Sequence, residues 1–193
     1  MKNDNYIDVM LDLETLGTVP GSVILSMGAC FFDPFTGKIG KEFFRAIDID
    51  SSIESGMQID GGTLEWWLRD NPEALKATID VESKETLEEA LIAFFNFCDT
   101  DGQIAKVRLW ANDPSFDTAM IMYACKQTKI PYQLKFWNNR DVRTIVGLYP
   151  SNLFKDYKIN NQRIGYHTAL ADAIYQAKYV SYILRDLGCT ELY

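Results

Sequence analysis

The sequence predicts an α/β fold in which helices pack on the faces of a mixed β-sheet. Three observations predict it. Apolar strand-like segments open the chain, with a turn between the second and third; amphipathic helical segments follow; strand–helix alternation fills the remainder.

Residues 6–13 form an apolar run that reads as a buried first strand. Residues 22–32 read as the second. The turn Asp33-Pro34-Phe35-Thr36-Gly37 leads to a third strand at 41–49, making a hairpin. Residues 65–79 have helical character, interrupted near Asn71-Pro72. A clearer helix spans 83–97, where Leu87, Leu91, Phe94 and Phe95 share a face opposite Glu85, Glu88 and Glu89. A fourth strand is expected at 106–111. Pro114 opens a helix running to about Lys126, proline being tolerated near a helix start. A fifth strand is expected at 134–137 and a short helix at 142–148, then a long polar loop. His167 is expected to open the last helix, which reaches about Leu187 and stops at Gly188.

No repeat, low-complexity tract or linker interrupts the 193 residues, so a single domain over 1–193 is expected. Hydrophobic residues make up 47% and charged residues 24%, as in an ordinary globular chain. The longest apolar stretch, 23–32, is broken by Ser26 and is too short to cross a bilayer. The polar start lacks the order of a signal peptide, and a cytoplasmic protein without membrane contact is expected. Cys30, Cys98, Cys125 and Cys189 lie among apolar neighbours with no CxxC pair, and read as free buried thiols. One histidine and no paired cysteines disfavour zinc.

The net charge of −8 argues against coating nucleic acid by charge alone. The charge is uneven: residues 135–166 hold six basic and two acidic residues, net +4, which leaves −12 elsewhere. That segment either guides a phosphate chain or is a solvated loop.

Three acidic clusters point to chemistry. Asp12 and Glu14 sit two apart at the end of the first strand, so they share a face. Two carboxylates together are costly unless a cation offsets them, and an oxygen-only donor set suits Mg²⁺ or Mn²⁺. Asp113 and Asp117 follow the fourth strand, where α/β sheets gather their sites. Asp113 could also be a turn residue, and Asp117 could merely favour a helix N-terminus. Asp172 sits among Ala169, Ala171 and Ala173, small residues that let a helix approach a strand closely. His167, the only histidine, lies five residues earlier at the end of the basic loop.

Asp12-x-Glu14, Asn112…Phe116-Asp117 and His167-x4-Asp172 together resemble the DEDD 3′–5′ exonucleases of the histidine subclass. Over nearly its full length the chain is also similar to stand-alone phage and prophage exonucleases, through Thr63-Leu64-Glu65-Trp66-Trp67-Leu68 and Arg140-Asp141-Val142-Arg143-Thr144 among other segments. The resemblance implies a ribonuclease H-like fold, a five-stranded mixed sheet with helices on both faces. It further implies two Mg²⁺ or Mn²⁺ ions held by Asp12, Glu14, Asp117 and Asp172, with Asp12 bridging both. His167 would then be the base, an imidazole titrating near neutrality. The expected substrate is a single-stranded nucleic-acid 3′ end, DNA favoured over RNA, and the product a nucleoside 5′-monophosphate. Thr15 and Leu16 are expected to meet the terminal nucleotide. Trp66 and Trp67 point about 100° apart on a helix: either one stacks on a base while the other is core, or both are core. Phe116 either closes the pocket or packs inside, and Asn112 either touches the backbone or caps the next helix. Two rivals stand beside this reading. One is an aspartate phosphatase of the haloacid-dehalogenase type, to which Asp12-x-Glu14-Thr15 bears a poor likeness. The other is a non-catalytic binding module of the same fold.

Overall fold

A computed structural model describes residues 6–161 and 168–192. The sheet has the order β3-β2-β1-β4-β5, built from β1 (Asp8–Thr15), β2 (Ile24–Phe32), β3 (Ile39–Ala46), β4 (Arg108–Ala111) and β5 (Arg140–Asp141). The β1–β2 and β2–β3 pairs are antiparallel; β1–β4 and β4–β5 are parallel. The first three strands are contiguous in sequence and need only tight turns. At the β2–β3 turn Asp33 accepts from the backbone amides of Phe35 and Thr36, and Gly37 takes the left-handed conformation at φ +74°.

Alternation along β1 divides the core. Val9, Leu11 and Leu13 face a layer made by α1 (Ile49–Glu54), α2 (Gly61–Asp70), α3 (Pro72–Ile79), α4 (Leu87–Cys98) and α5 (Asp117–Thr128). Met10 faces the other way, toward α6 (Val142–Gly147), α7 (Ser151–Asn160) and α8 (Ala169–Asp186), together with Trp110 and Phe32. Asp12 and Glu14 share the Met10 face by the same alternation. Every residue of β2 is buried, as a strand covered on both faces must be.

Helix α8 lies unusually close to the sheet. Ala169, Ala173 and Ala177 are fully buried against it. Opposite them is Gly28, paired in register with Asp12. A Cβ at Gly28 would fall 2.0 Å from the Leu170 amide nitrogen and 2.1 Å from the Ala169 carbonyl carbon. Small residues on both sides thus set the start of α8 directly beside Asp12.

Several sequence expectations shift. The fifth strand is not 134–137: Phe136–Asn138 form a 3-10 turn with Phe136 and Trp137 exposed, and the strand is the polar pair Arg140–Asp141. An edge strand of two residues needs little apolar content, so hydrophobicity misplaced it. The polar stretch after α6 is not a loop throughout but contains α7, whose Phe154 and Tyr157 rings pack on Tyr179 and Tyr182 of α8 at 5.3 and 4.5 Å. Helix α1 was not anticipated, being only six residues long and fixed by its Asp48 cap. Helix α4 starts at Leu87 rather than 83, because Glu85 is held in a bridge to Ile47 and Thr86 forms a capping box with Glu89. The last helix begins at Ala169, capped by Thr168, and Gly188 follows its end at φ +74°. His167 lies outside the described residues. Cys30, Cys98 and Cys125 are buried free thiols as expected, and Cys189 is half-buried. Among the described residues no helix is long and apolar enough to cross a membrane.

Candidate active site

Strand β1 carries three acids on one face: Asp8, Asp12 and Glu14. Their surroundings separate structure from chemistry. Asp8 is 2% exposed and fully answered. Arg108 meets it in a two-pronged pair at 2.6 and 2.8 Å, and Trp110 Nε1 donates to it at 2.8 Å. That geometry is what a buried ion pair requires.

Among the described residues, Asp12 has no such cation hydrogen-bonded to it. Its hydrogen-bond partner is the neutral amide of Gln176, whose Nε2 donates to Asp12 Oδ1 at 2.8 Å. Around it stand further acids. One carboxylate oxygen each from Asp12, Glu14 and Asp172 lie within 4.8 Å of one another. Asp12 comes from the strand next to Gly28, Glu14 from two residues on, and Asp172 from the first turn of α8. Burial first, then the charges of Asp117, Glu14 and Asp172, raise the Asp12 pKa well above the usual carboxylate range, against a lowering by the Gln176 amide.

Asp117 joins from the third segment. Asp113 makes a turn after β4, accepting from the Ser115 amide at 2.9 Å, and its carbonyl accepts from the amides of Phe116 and Asp117. This winds the chain into α5 with Asp117 in its first turn and only 3% exposed. Burial pushes the Asp117 carboxyl up to about 7, against the pull of the Asp113, Leu13 and Asp117 backbone amides. Asp113 thus has the turn role, with Arg143 3.6 Å away. Asp117 is no solvated helix-start acid.

Four acids therefore converge, with no cationic side chain among the described residues hydrogen-bonded to Asp12. Hard oxygen donors, crowded and costly to ionise together, fit a divalent metal: the cation would relieve the repulsion that raises Asp12.

A cleft of about 530 Å³ opens beside Glu14, lined in part by Thr15, Trp66, Trp67 and Phe116. Trp67 is core, 3% exposed, with Nε1 donating to the Thr15 carbonyl at 2.9 Å; Trp66 is 45% exposed on the cleft wall. Thus the two tryptophans divide into one core ring and one surface ring. Leu16, expected beside the terminal nucleotide, packs in the core and does not line the cleft. Its backbone is tied on both sides, the amide donating to Val23 and the carbonyl accepting from Asp60. Asn112 does not cap α5, which has no side-chain cap. The sequence reading gave Gln176 and Gly28 no role. Gln176 could have been found, since it lies one helical turn after Asp172 and shares its face. Gly28 could not, because what it approaches is 141 residues away in sequence.

The 3-2-1-4-5 mixed sheet with an acid cluster at the end of its central strand is of the ribonuclease H-like class, and the donor set suits metal-dependent phosphodiester hydrolysis. A phosphatase of the haloacid-dehalogenase type is not compatible with it, because β1, which bears Asp12, pairs antiparallel with β2. The family model described as "3′-5′ exoribonuclease Rv2179c-like domain" matches residues 7–184, so the chain belongs to the Rv2179c-like family. It is a 3′–5′ exonuclease, and the family and the acid cluster together imply a divalent metal. No curated protein matches the chain in sequence. Among solved structures, the nuclease domain of 3′hExo, a DEDDh family member bound to rAMP, is similar. It is 12% identical with a TM-score of 0.59, over 96% of this chain and 95% of that one. Exonuclease X in complex with 5′ overhanging duplex DNA is 17% identical with a TM-score of 0.56, over 95% and 94%. Cell-death related nuclease 4 (CRN-4) is 13% identical with a TM-score of 0.59, over 94% of this chain and 65% of that one. At such identities the likeness carries the fold.

Proposed function

We propose that this chain removes nucleotides from the 3′ end of single-stranded RNA and releases nucleoside 5′-monophosphates. The observation that carries the reading is the convergence of Asp12, Glu14 and Asp172 within 4.8 Å, with the Asp117 charge felt at Asp12. RNA is chosen over DNA on the exoribonuclease description of the family. The preference for DNA expected from sequence has no such support.

Asp12, Glu14, Asp117 and Asp172 would hold two Mg²⁺ or Mn²⁺ ions. When bound, the ions supply Lewis acidity to the phosphate and to the attacking water. His167 would accept the proton as water adds to phosphorus, and the bond from phosphorus to the 3′-oxygen breaks as that oxygen takes a proton from solvent and leaves as the new 3′-hydroxyl. Gln176 holds the Asp12 carboxylate in orientation. Thr15, Trp66 and Phe116 shape the cleft that receives the terminal nucleoside, with Trp66 offering a ring face to its base. Leu16 acts through the backbone it fixes rather than by contact.

A time course on end-labelled single-stranded RNA, single-stranded DNA and duplex, with Mn²⁺ or with EDTA, tests this. Stepwise loss of mononucleotides from the 3′ end of RNA, abolished by EDTA, is expected. Faster cleavage of DNA would overturn the choice of RNA. Tight binding of oligonucleotide and metal without any release would establish the non-catalytic alternative.

A further inference from the structure

Two divalent ions only offset the four acids, so the loaded site offers no surplus positive charge and the strand upstream of the scissile bond needs a cationic hold elsewhere. The segment 135–143 offers one. Strand β5 runs parallel to β4, pairing Arg140 with Trp110 and Asp141 with Ala111, so the chain leaves β5 at the end of the sheet where Asp12 lies. There Asp141 accepts from the amides of Arg143 and Thr144 and caps α6. This fixes Arg143 in the first helical turn. Its side chain is 66% exposed and stands 3.6 Å from Asp113, whose carbonyl accepts from the amide of Asp117. A guanidinium is thereby placed on the rim of the acid cluster. Its charge also reaches Tyr179, a ring that feels Asp12 and Asp172.

At the other end of the segment two large rings face solvent. Phe136 and Trp137 are 68% and 62% exposed, with centroids 4.9 Å apart, and the Lys135 ammonium lies 5.8 Å from the Trp137 ring centre. The turn beneath them is anchored. Asn138 Nδ2 donates to the Ala105 carbonyl, and Arg140 Nη1 donates to the carbonyls of Trp137 and Asn139. The rings are thus presented on a tied base. Around them the segment carries Lys135, Arg140 and Arg143 against the single acid Asp141, on a chain of net charge −8. Cations alternating with exposed aromatic faces complement a polyanion with flat bases.

The geometry points to residues 135–143 as the track for the single strand upstream of the cut: Arg143 takes a backbone phosphate beside the acids, and Phe136 and Trp137 stack bases farther along. This rests on the exonuclease reading. The test compares wild type, Arg143→Ala, Asp113→Asn and the double variant Phe136→Ala/Trp137→Ala on a dinucleotide and on a long single strand. Arg143→Ala raises KM about tenfold with kcat retained, as loss of a charge-assisted contact does. It also lowers the slope of log KM against log salt by about 0.7, the share of one single-strand phosphate. Asp113→Asn does not reproduce either effect. The double aromatic variant raises KM on the long strand about tenfold more than on the dinucleotide. The track is overturned if Arg143→Ala and Asp113→Asn behave alike, which would make the arginine a brace for the loop. An aromatic variant with equal effects at both lengths also overturns it, as does one that instead converts a dimer to a monomer in gel filtration. If wild type with Mn²⁺ releases no nucleotide, the exonuclease reading fails by itself. Fluorescence anisotropy of the long strand on the same variants then decides the track separately.

Discussion

Gln176 Nε2 donates to Asp12 Oδ1 at 2.8 Å from a position one helical turn beyond Asp172. One face of α8 thus delivers both an acid to the cluster and a neutral donor that orients the central acid. The other amide atom, Gln176 Oε1, is buried without a hydrogen-bond partner among the described residues. An amide can orient the carboxylate without neutralising it, which leaves the charge available for a cation. Replacing Gln176 by Leu should weaken Mn²⁺ binding by about ten- to a hundredfold, as loss of a supporting partner commonly does. Isothermal titration with Mn²⁺ measures this apart from activity; unchanged affinity would show the bond to be incidental.

Gly28→Ala should damage both stability and site. The new Cβ meets backbone of α8 rather than a flexible side chain, so the helix must move. Overpacking of this kind costs about 1–3 kcal/mol. Urea unfolding should show that loss, and catalysis should fall as well because Asp172 moves with the helix.

The acids also set a pH dependence. The Asp117 pKa is raised to about 7 from the ordinary 3.8, and Asp12 is raised too, so folding takes up protons at both. Without metal, stability is fully present below pH 3.8 and is lost as pH rises toward about 7. Bound cation reverses the sense, since it competes with those protons and binds more tightly as pH rises. Thermal unfolding in EDTA and in Mg²⁺ across this range should give two curves that diverge upward in pH. Parallel curves would count against these acids as the metal ligands.

Asp12→Ala or Asp172→Ala should abolish nucleotide release. His167→Ala should leave slow activity that rises with pH, because hydroxide replaces the missing base. A His167→Ala enzyme as fast as wild type would remove that residue from the chemistry.

The adjacent tryptophans should separate cleanly. Trp67→Phe loses the hydrogen bond to the Thr15 carbonyl and should cost about 1 kcal/mol in stability. Trp66→Ala, at an exposed ring, should change stability little and raise KM for RNA instead.

Much of this molecule was legible before folding. The Asp12-x-Glu14 alternation, the position of Asp117 after a strand and the alanines around Asp172 each follow from local periodicity, which a sequence carries directly. The misplaced fifth strand and the overlooked α7 show where that signal ends. Arg140–Asp141 becomes a strand because Trp110 and Ala111 offer it an edge, and Ser151–Asn160 becomes a helix because Tyr179 and Tyr182 offer it rings. Sequence by itself marked the acids that the fold brings together and the order in which strands and helices carry them. Only the tertiary structure decided that Asp8 is a structural acid held by Arg108 while Asp12, four residues on, stands among other acids with an amide for company. The physical reason is that a carboxylate's role depends on which charges and donors surround it, and those arrive from segments a hundred or more residues away.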